Sequence, residues 1–231
     1  MAKRKRPVRR PRREEKKTNW WLIGGIILIG IAGLAVLLVL SQQEAEALSL
    51  VDYCAENPEN CVTKGSPDAQ VTILEVSDYG CSHCRDFNLQ TAGLIEDLYV
   101  TPGEVQWIVF PFALSTQTVP AASAALCAGD QGRFFEFHRR MFDIQGGPQA
   151  LTPDGYLQAA RDLGLDTDSF NSCLADGVYD DVVQDNIRAA NNAGVRATPT
   201  FFVNDKMLEG NHPLTDFQQE IASLINAADA N

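Results

Sequence analysis

The segment Cys81-Ser82-His83-Cys84 places two thiols three positions apart, where the apolar run Val71-Thr72-Ile73-Leu74-Glu75-Val76 has given way to helical periodicity. Cys84, Phe87, Thr91, Leu94, Ile95 and Leu98 recur at three- and four-residue steps, which predicts one buried helical stripe with Cys81 at the helix start. There, unpaired backbone N–H groups and the positive end of the helix dipole favour a thiolate over a thiol. Cys84 lies one turn further in, beneath Cys81 and better shielded. The expected chemistry is thiol–disulfide exchange, with Cys81 the exposed nucleophile and Cys84 the resolving partner. His83 supplies an N–H donor or an imidazolium that further favours the Cys81 anion; the alternative is an exposed loop histidine.

A CxxC is also half of a zinc site, and zinc needs four ligands. The sequence has no second CxxC and no HxxxH, and Cys54 and Cys61 have six residues between them, a poor match to ligand spacing. No metal and no cofactor is expected. A permanent structural disulfide between Cys81 and Cys84 is the other alternative. Glu75 stands out for a different reason: a carboxylate inside an apolar strand is costly to bury unless it has a partner or a task.

The first seventeen residues carry ten Lys or Arg against two Glu, a local charge of +8, which leaves −19 for the rest of a chain whose net charge is −11. Trp20 to Leu40 then runs uncharged and almost wholly apolar. Twenty-one residues at about 1.5 Å each cover roughly 30 Å, the thickness of a bilayer core. The reading is a single transmembrane helix, with Trp20 and Trp21 as interfacial anchors and the basic arm, residues 1–19, held in the cytoplasm. Residues 41–231 are then extracytoplasmic. The rival is a cleaved signal peptide with Ala45-Glu46-Ala47 as the cleavage site, giving a soluble exported protein; the apolar run is longer than the usual signal core. Six cysteines suit an oxidising compartment. The acidic outer part offers no basic patch for nucleic acid.

Residues 41–64 read as a stalk carrying the Cys54/Cys61 loop, with one domain over 65–231. Further strands are expected at Val105–Phe110, Thr200–Val203 and Lys206–Leu208, with Asn204-Asp205 as the turn between the last two. Between the second and third strands, about residues 117–193, the pattern is helical. Phe134, Phe135, Phe137 and Met141 read as core, and Thr152-Pro153 as a helix N-cap and first residue. A capping box at Thr215 and Gln218 predicts where the last helix opens. His138 and His212 have no cysteine or carboxylate pattern beside them and read as surface residues. The order strand, helix, strand, helical block, strand, strand, helix predicts an α/β fold with a thioredoxin-like sheet and a helical insertion.

Those residues resemble the DsbA-like thioredoxin family in its exported bacterial branch. The match runs from Gly65-Ser66-Pro67-Asp68-Ala69 through Val71–Tyr79 into CSHC, and continues in Ala124-Ala125-Leu126-Cys127-Ala128, in Gln131–Phe135 and in Ala197-Thr198-Pro199-Thr200-Phe201. The resemblance implies that Pro199 is a cis proline facing the CxxC, that the Thr198 backbone pairs with an extended client, and that Glu75 passes protons to and from the inner cysteine. It implies exported protein thiols or disulfides as substrates and a DsbB- or VKOR-type membrane redox partner. The family's usual Pro-His or Pro-Tyr between the cysteines is replaced here by Ser82-His83, a change that bears on the redox potential. Six cysteines allow fifteen pairings; spacing and the resemblance favour Cys54 with Cys61, Cys81 with Cys84, and Cys127 with Cys173. A redox relay through Cys54 and Cys61 stays open beside a structural role. The function so implied is a membrane-anchored oxidoreductase that introduces disulfides, with two alternatives: a reductase or isomerase on the same site, and a tethered peptide-binding module whose CxxC is a permanent disulfide.

Overall fold

β2 (Val71–Ser77) and β3 (Val105–Pro111) run parallel at the centre of a five-stranded sheet of order β1-β3-β2-β4-β5. Both are buried at nearly every position, because helices cover both faces of the sheet, which is why they read as continuous apolar runs. β4 (Thr200–Val203) pairs antiparallel with β2, and β5 (Lys206–Glu209) returns antiparallel to β4. The hairpin between them is the expected Asn204-Asp205 turn. Asn204 takes a φ of 49° and ties the turn to β2, its side chain accepting from the Thr72 N–H at 2.7 Å. The computed structural model describes residues 49–229 and, before them, Gly30 alone. The expected basic arm, the Trp20–Leu40 span apart from Gly30, and most of the stalk's first ten residues lie outside the described residues. Among the described residues no helix is long and apolar enough to cross a membrane.

Of the expected stalk, residues 50–64 pack on the sheet instead of standing apart from it. Helix α1 (Leu50–Glu56) buries Leu50 and Cys54 against Leu74, Val76, Ile108 and Phe110, and β1 (Val62–Lys64) pairs antiparallel with β3 as an edge strand. Three residues at a sheet edge carry too little alternation to be seen in sequence. Helix α2 (Ser82–Gln90) lies on the opposite face and is followed by α3 (Ala92–Ile95) and one π-helical turn, Glu96–Val100. The expected unbroken stripe is corrected at this junction. The helix breaks at Thr91, leaving Leu94 and Leu98 exposed, while Cys84, Phe87, Ala92 and Ile95 are buried.

Five helices separate β3 from β4: α4 (Val119–Gly129), α5 (Phe134–Ile144), α6 (Pro153–Asp162), α7 (Thr167–Ala175) and α8 (Asp180–Asn192). Phe134, Phe137 and Met141 are core and Phe135 is half-buried. Thr152 caps α6 through the Gly155 N–H, with Pro153 as its first residue. The last helix, α9 (Leu214–Asp229), opens one residue earlier than the Thr215 box predicts, and Thr215 bonds its neighbour Asp216 instead. Phe87 anchors α2 to this frame: its ring lies 4.4 Å from Phe201 on β4, 5.7 Å from Phe217 on α9 and 6.1 Å from Trp107 on β3. Losing such a ring costs about 3–5 kcal/mol, so the first turn of α2 sits on a rigid base.

Candidate active site

Cys81 is the N-cap residue of α2, with φ −84° and ψ 121°, and its sulfur is half-buried while Cys84 is fully buried. Both thiols are free. The Cys81 sulfur lies 3.2 Å from the Thr198 carbonyl oxygen, to which it donates only when protonated, and the Thr198–Pro199 bond at the start of β4 is cis. The Cys81 pKa is lowered from 9.0 to about 5. The Cys84 thiol, donating to the Cys81 sulfur, is the largest cause; partial burial opposes it, and the Thr198 side chain and the backbone N–H groups of Cys84 and His83 add to it. The Cys84 thiol goes the other way, raised first by burial and then by its donation to Cys81. The site therefore holds one thiolate at the surface and one neutral thiol beneath it.

His83 acts on this thiolate through its backbone; its side chain is exposed. The loop that presents Cys81 is fixed by groups the sequence did not flag. The Asp78 carboxylate accepts from the Gly80 N–H at 2.6 Å, the Leu114 N–H at 2.7 Å and the Thr118 hydroxyl. A Cβ at Gly80 would sit 2.9 Å from the Thr118 methyl and 3.0 Å from an Asp78 oxygen, so the turn has no room for a side chain. Gln145, at the end of α5, donates to the Tyr79 and Cys81 carbonyls at 2.6 and 3.0 Å.

Glu75 lies on the α2 face of β2, where alternation puts it with Val71 and Ile73, and it is completely buried. One carboxylate oxygen accepts from the Ser77 hydroxyl and from the Asn88 amide at 2.8 Å, and lies 3.6 Å from the Nε2 of His138. Asn88 also donates to the Cys84 carbonyl at 3.2 Å, which ties the carboxylate to the inner turn of α2. Burial alone would raise the Glu75 pKa. His138, Ser77 and Asn88 outweigh it and hold the carboxyl below its ordinary range.

His138 corrects the expectation of a surface histidine: it is 5% exposed, its Nδ1 meets the Tyr79 hydroxyl at 2.8 Å and its ring stacks on Phe134. Its signal was its place on the α5 stripe of Phe134, Met141 and Phe142, one turn from each. His212 is half-buried and pairs with Asp216 at 2.8 Å. The other four cysteines are bonded as Cys54–Cys61 and Cys127–Cys173. Cys54 and Cys61 are buried on the opposite face of the sheet from α2.

Comparison with known proteins adds to this geometry. An antiporter, Na(+)/H(+) antiporter NhaA 1 of Salinispora arenicola, is 30% identical over 168 residues, 72% of this chain and 25% of that protein. The chain thus spans about a quarter of the length of the first curated relatives it matches. Disulfide bond formation protein D of Bacillus subtilis is 24% identical over 151 residues, 63% of this chain and 68% of that protein. The crystal structure of Wolbachia pipientis alpha-DsbA1 superposes with a TM-score of 0.66 at 26% identity, covering 74% of this chain and 94% of that one. The thioredoxin family model matches residues 57–223. The chain belongs to the thioredoxin family, and its fold is that of the DsbA-like members, with a mixed sheet and a helical block between β3 and β4.

Proposed function

We propose that the chain is an extracytoplasmic thiol:disulfide oxidoreductase working chiefly as an oxidase, tethered to the membrane by Trp20–Leu40. The observation that carries this reading is the split between the cysteines: a half-exposed Cys81 with a pKa of about 5 over a buried Cys84 that stays protonated. A stabilised thiolate lowers the energy of the reduced form, which makes the matching disulfide oxidising.

In the oxidised enzyme a client thiolate attacks the Cys81 sulfur. The Cys81–Cys84 bond breaks, a client–Cys81 disulfide forms, and Cys84 leaves as a buried thiolate that takes up one proton. The client's second thiolate then attacks the client sulfur of the mixed disulfide, forming the client disulfide and releasing the Cys81 thiolate. Glu75, joined to the Cys84 turn through Asn88, is the proton carrier for the inner sulfur. The Thr198 carbonyl beside Cys81 and the backbone ahead of Pro199 pair with an extended client, which lets main-chain hydrogen bonds accept many sequences. Cys54–Cys61 and Cys127–Cys173 are structural. Reoxidation falls to a membrane partner of the DsbB or VKOR type, and the substrates are thiols or disulfides of exported proteins. The ion exchange in the name of the antiporter relative is not carried to a chain that spans a quarter of it.

Equilibration with glutathione tests the direction. An oxidase should settle near or above about −200 mV, whereas a value near about −270 mV belongs to a reductase. Cys84→Ala should accumulate client–Cys81 mixed disulfides. A Cys84→Ala protein that traps nothing, while Cys81→Ala does, would reverse the roles of the cysteines.

A further inference from the structure

Gln145 caps the C-terminal end of α5, where the chain leaves the helix with φ −55° and ψ 137° and turns through Gly146 at a φ of 87°. Its side-chain amide reaches back to the loop that carries the nucleophile, donating to the Tyr79 carbonyl at 2.6 Å and to the Cys81 carbonyl at 3.0 Å. An amide nitrogen has two N–H groups, one for each carbonyl. The amide therefore spans Gly80, with one anchor on each side of it. The same helix end is tied to α2 a second way: Nε of Arg85 donates to the Phe142 carbonyl at 3.1 Å. The Phe142 ring lies 5.0 Å from that of Tyr79, and both are buried. Gln145 is thus carried by a fixed support.

What the two bonds hold is the backbone of the nucleophile. The Cys81 N–H donates to the Asp78 carbonyl at 3.0 Å, and the Cys81 carbonyl accepts from the Arg85 N–H at 3.2 Å. Gln145 gives that carbonyl a second donor. A peptide unit is planar, so fixing the Tyr79 carbonyl also fixes the Gly80 N–H, which donates to the Asp78 carboxylate at 2.6 Å. Fixing the Cys81 carbonyl in the same way fixes the first peptide plane of α2. The sulfur meets the favourable N–H groups of His83 and Cys84 only while Cys81 keeps this cap conformation.

A second effect is electrostatic. Unbonded carbonyl oxygens carry partial negative charge, and two of them within two residues of the sulfur would oppose a thiolate; the amide N–H groups offset them. The disulfide carries no charge, so both effects weigh more on the reduced site than on the oxidised one. We infer that Gln145 is a positioning residue: through it the helical block holds Cys81 in the cap conformation and thereby sets how strongly the Cys81–Cys84 disulfide oxidises a client. This rests on the oxidoreductase reading above and deepens it. The Gln145 amide bonds carbonyl oxygens and neither sulfur, so it acts through the backbone.

Gln145→Leu keeps most of the bulk of the side chain and removes both donors. In equilibration with glutathione, two glutathione thiols become one glutathione disulfide as the Cys81–Cys84 disulfide becomes two thiols. The equilibrium constant for that reaction should fall by about three- to tenfold, the weight of one net hydrogen bond. The ultraviolet midpoint of the Cys81 thiolate should rise with it. Gln145→Glu sets a carboxylate against the same two carbonyls and should move both readouts further in the same direction. A residue needed only for folding would lower the unfolding midpoint of both variants and leave the equilibrium constant and the thiolate titration where they are, and that result overturns the inference. The unaltered protein supplies a readout that does not depend on either variant folding. Its Gln145 side-chain amide protons should exchange slowly with solvent, and their chemical shift should follow the Cys81 titration. Amide protons that exchange as freely as those of an exposed glutamine and ignore that titration also overturn the inference, while normal equilibration with glutathione leaves the oxidoreductase reading standing. An unaltered protein that does not equilibrate with glutathione overturns both.

Discussion

Two cysteine loops sit on opposite faces of the same central strands, and helix polarity separates them. Cys81 precedes the first residue of α2, where free N–H groups and the helix dipole stabilise an anion. Cys54 is the fifth residue of the seven-residue α1, towards its carbonyl end, where the dipole disfavours one. Cys81 is half-exposed beside a backbone carbonyl at the surface, whereas Cys54 and Cys61 are packed with Leu74, Val76 and Phe110. On the proposed function, similar residue types give a reactive pair in one place and a staple in the other. The difference lies in helix end and solvent access, which also argues against a relay through Cys54 and Cys61.

The sharpest way to break this contrast is to remove each sulfur in turn. Cys81→Ser should abolish exchange with a client disulfide, a loss of at least about a thousandfold. The double variant Cys54→Ala, Cys61→Ala should exchange at close to the unaltered rate, measured on folded protein. A large loss of exchange in that double variant would make the first loop a relay.

Stability should rank the loops differently. In the chain-entropy account a disulfide stabilises more as its loop lengthens. Cys127–Cys173, with a separation of 46, should contribute about 4 kcal/mol, and Cys54–Cys61, with a separation of 7, about 2.5 kcal/mol. Denaturant unfolding of the two alanine pairs gives the order directly, and a larger loss for the Cys54 pair would point to packing by those buried sulfurs over loop length.

The parts of this contrast visible in the sequence are those set by near neighbours. Cys81 at a helix start, the β2 and β3 runs, the Asn204-Asp205 turn and the Thr152 cap each depend on a few adjacent residues. Glu75 stood out as a carboxylate in an apolar strand. His138, Asn88, Asp78 and Gln145 were missed because their roles come from contacts 13 to 66 positions away in the chain. The α2 stripe was over-extended for a related reason: Leu94 and Leu98 keep helical spacing, but the break at Thr91 turns them to solvent.

Proton linkage gives a smaller effect confined to the first loop. Reduced Cys81 titrates at about 5, against 9.0 for an ordinary cysteine, whereas the oxidised pair does not titrate. A depressed pKa means that the unfolded reduced chain binds more protons between these values, so the thiolate's contribution to reduced-state stability grows as pH rises from about 5 to about 9. Below that window the contribution is lost. Above it, burial of Cys84 as a neutral thiol acts in the opposite sense. Chemical denaturation of reduced and oxidised protein across that range should show the reduced form gaining on the oxidised one. Parallel curves would mean that Cys81 carries no special anion stabilisation.

The smallest expected change concerns His83, and it separates the helix end from the side chain that decorates it. The Cys84 thiol, the Thr198 side chain and two backbone N–H groups hold the thiolate, and one of those N–H groups belongs to His83 itself. Alanine keeps that N–H and removes only an exposed ring. An exposed charge near a helix end is worth about 0.3–1 kcal/mol, and one pKa unit is about 1.4 kcal/mol, so His83→Ala should raise the Cys81 midpoint by less than roughly half to three-quarters of a unit. Cys84→Ala, which removes the largest contribution, should raise it considerably more. Ultraviolet titration of the two variants measures both shifts. If His83→Ala produced the larger one, the imidazole would be the main stabiliser, and the contrast between the loops would rest on a side chain that α1 lacks instead of on the polarity of the helix end.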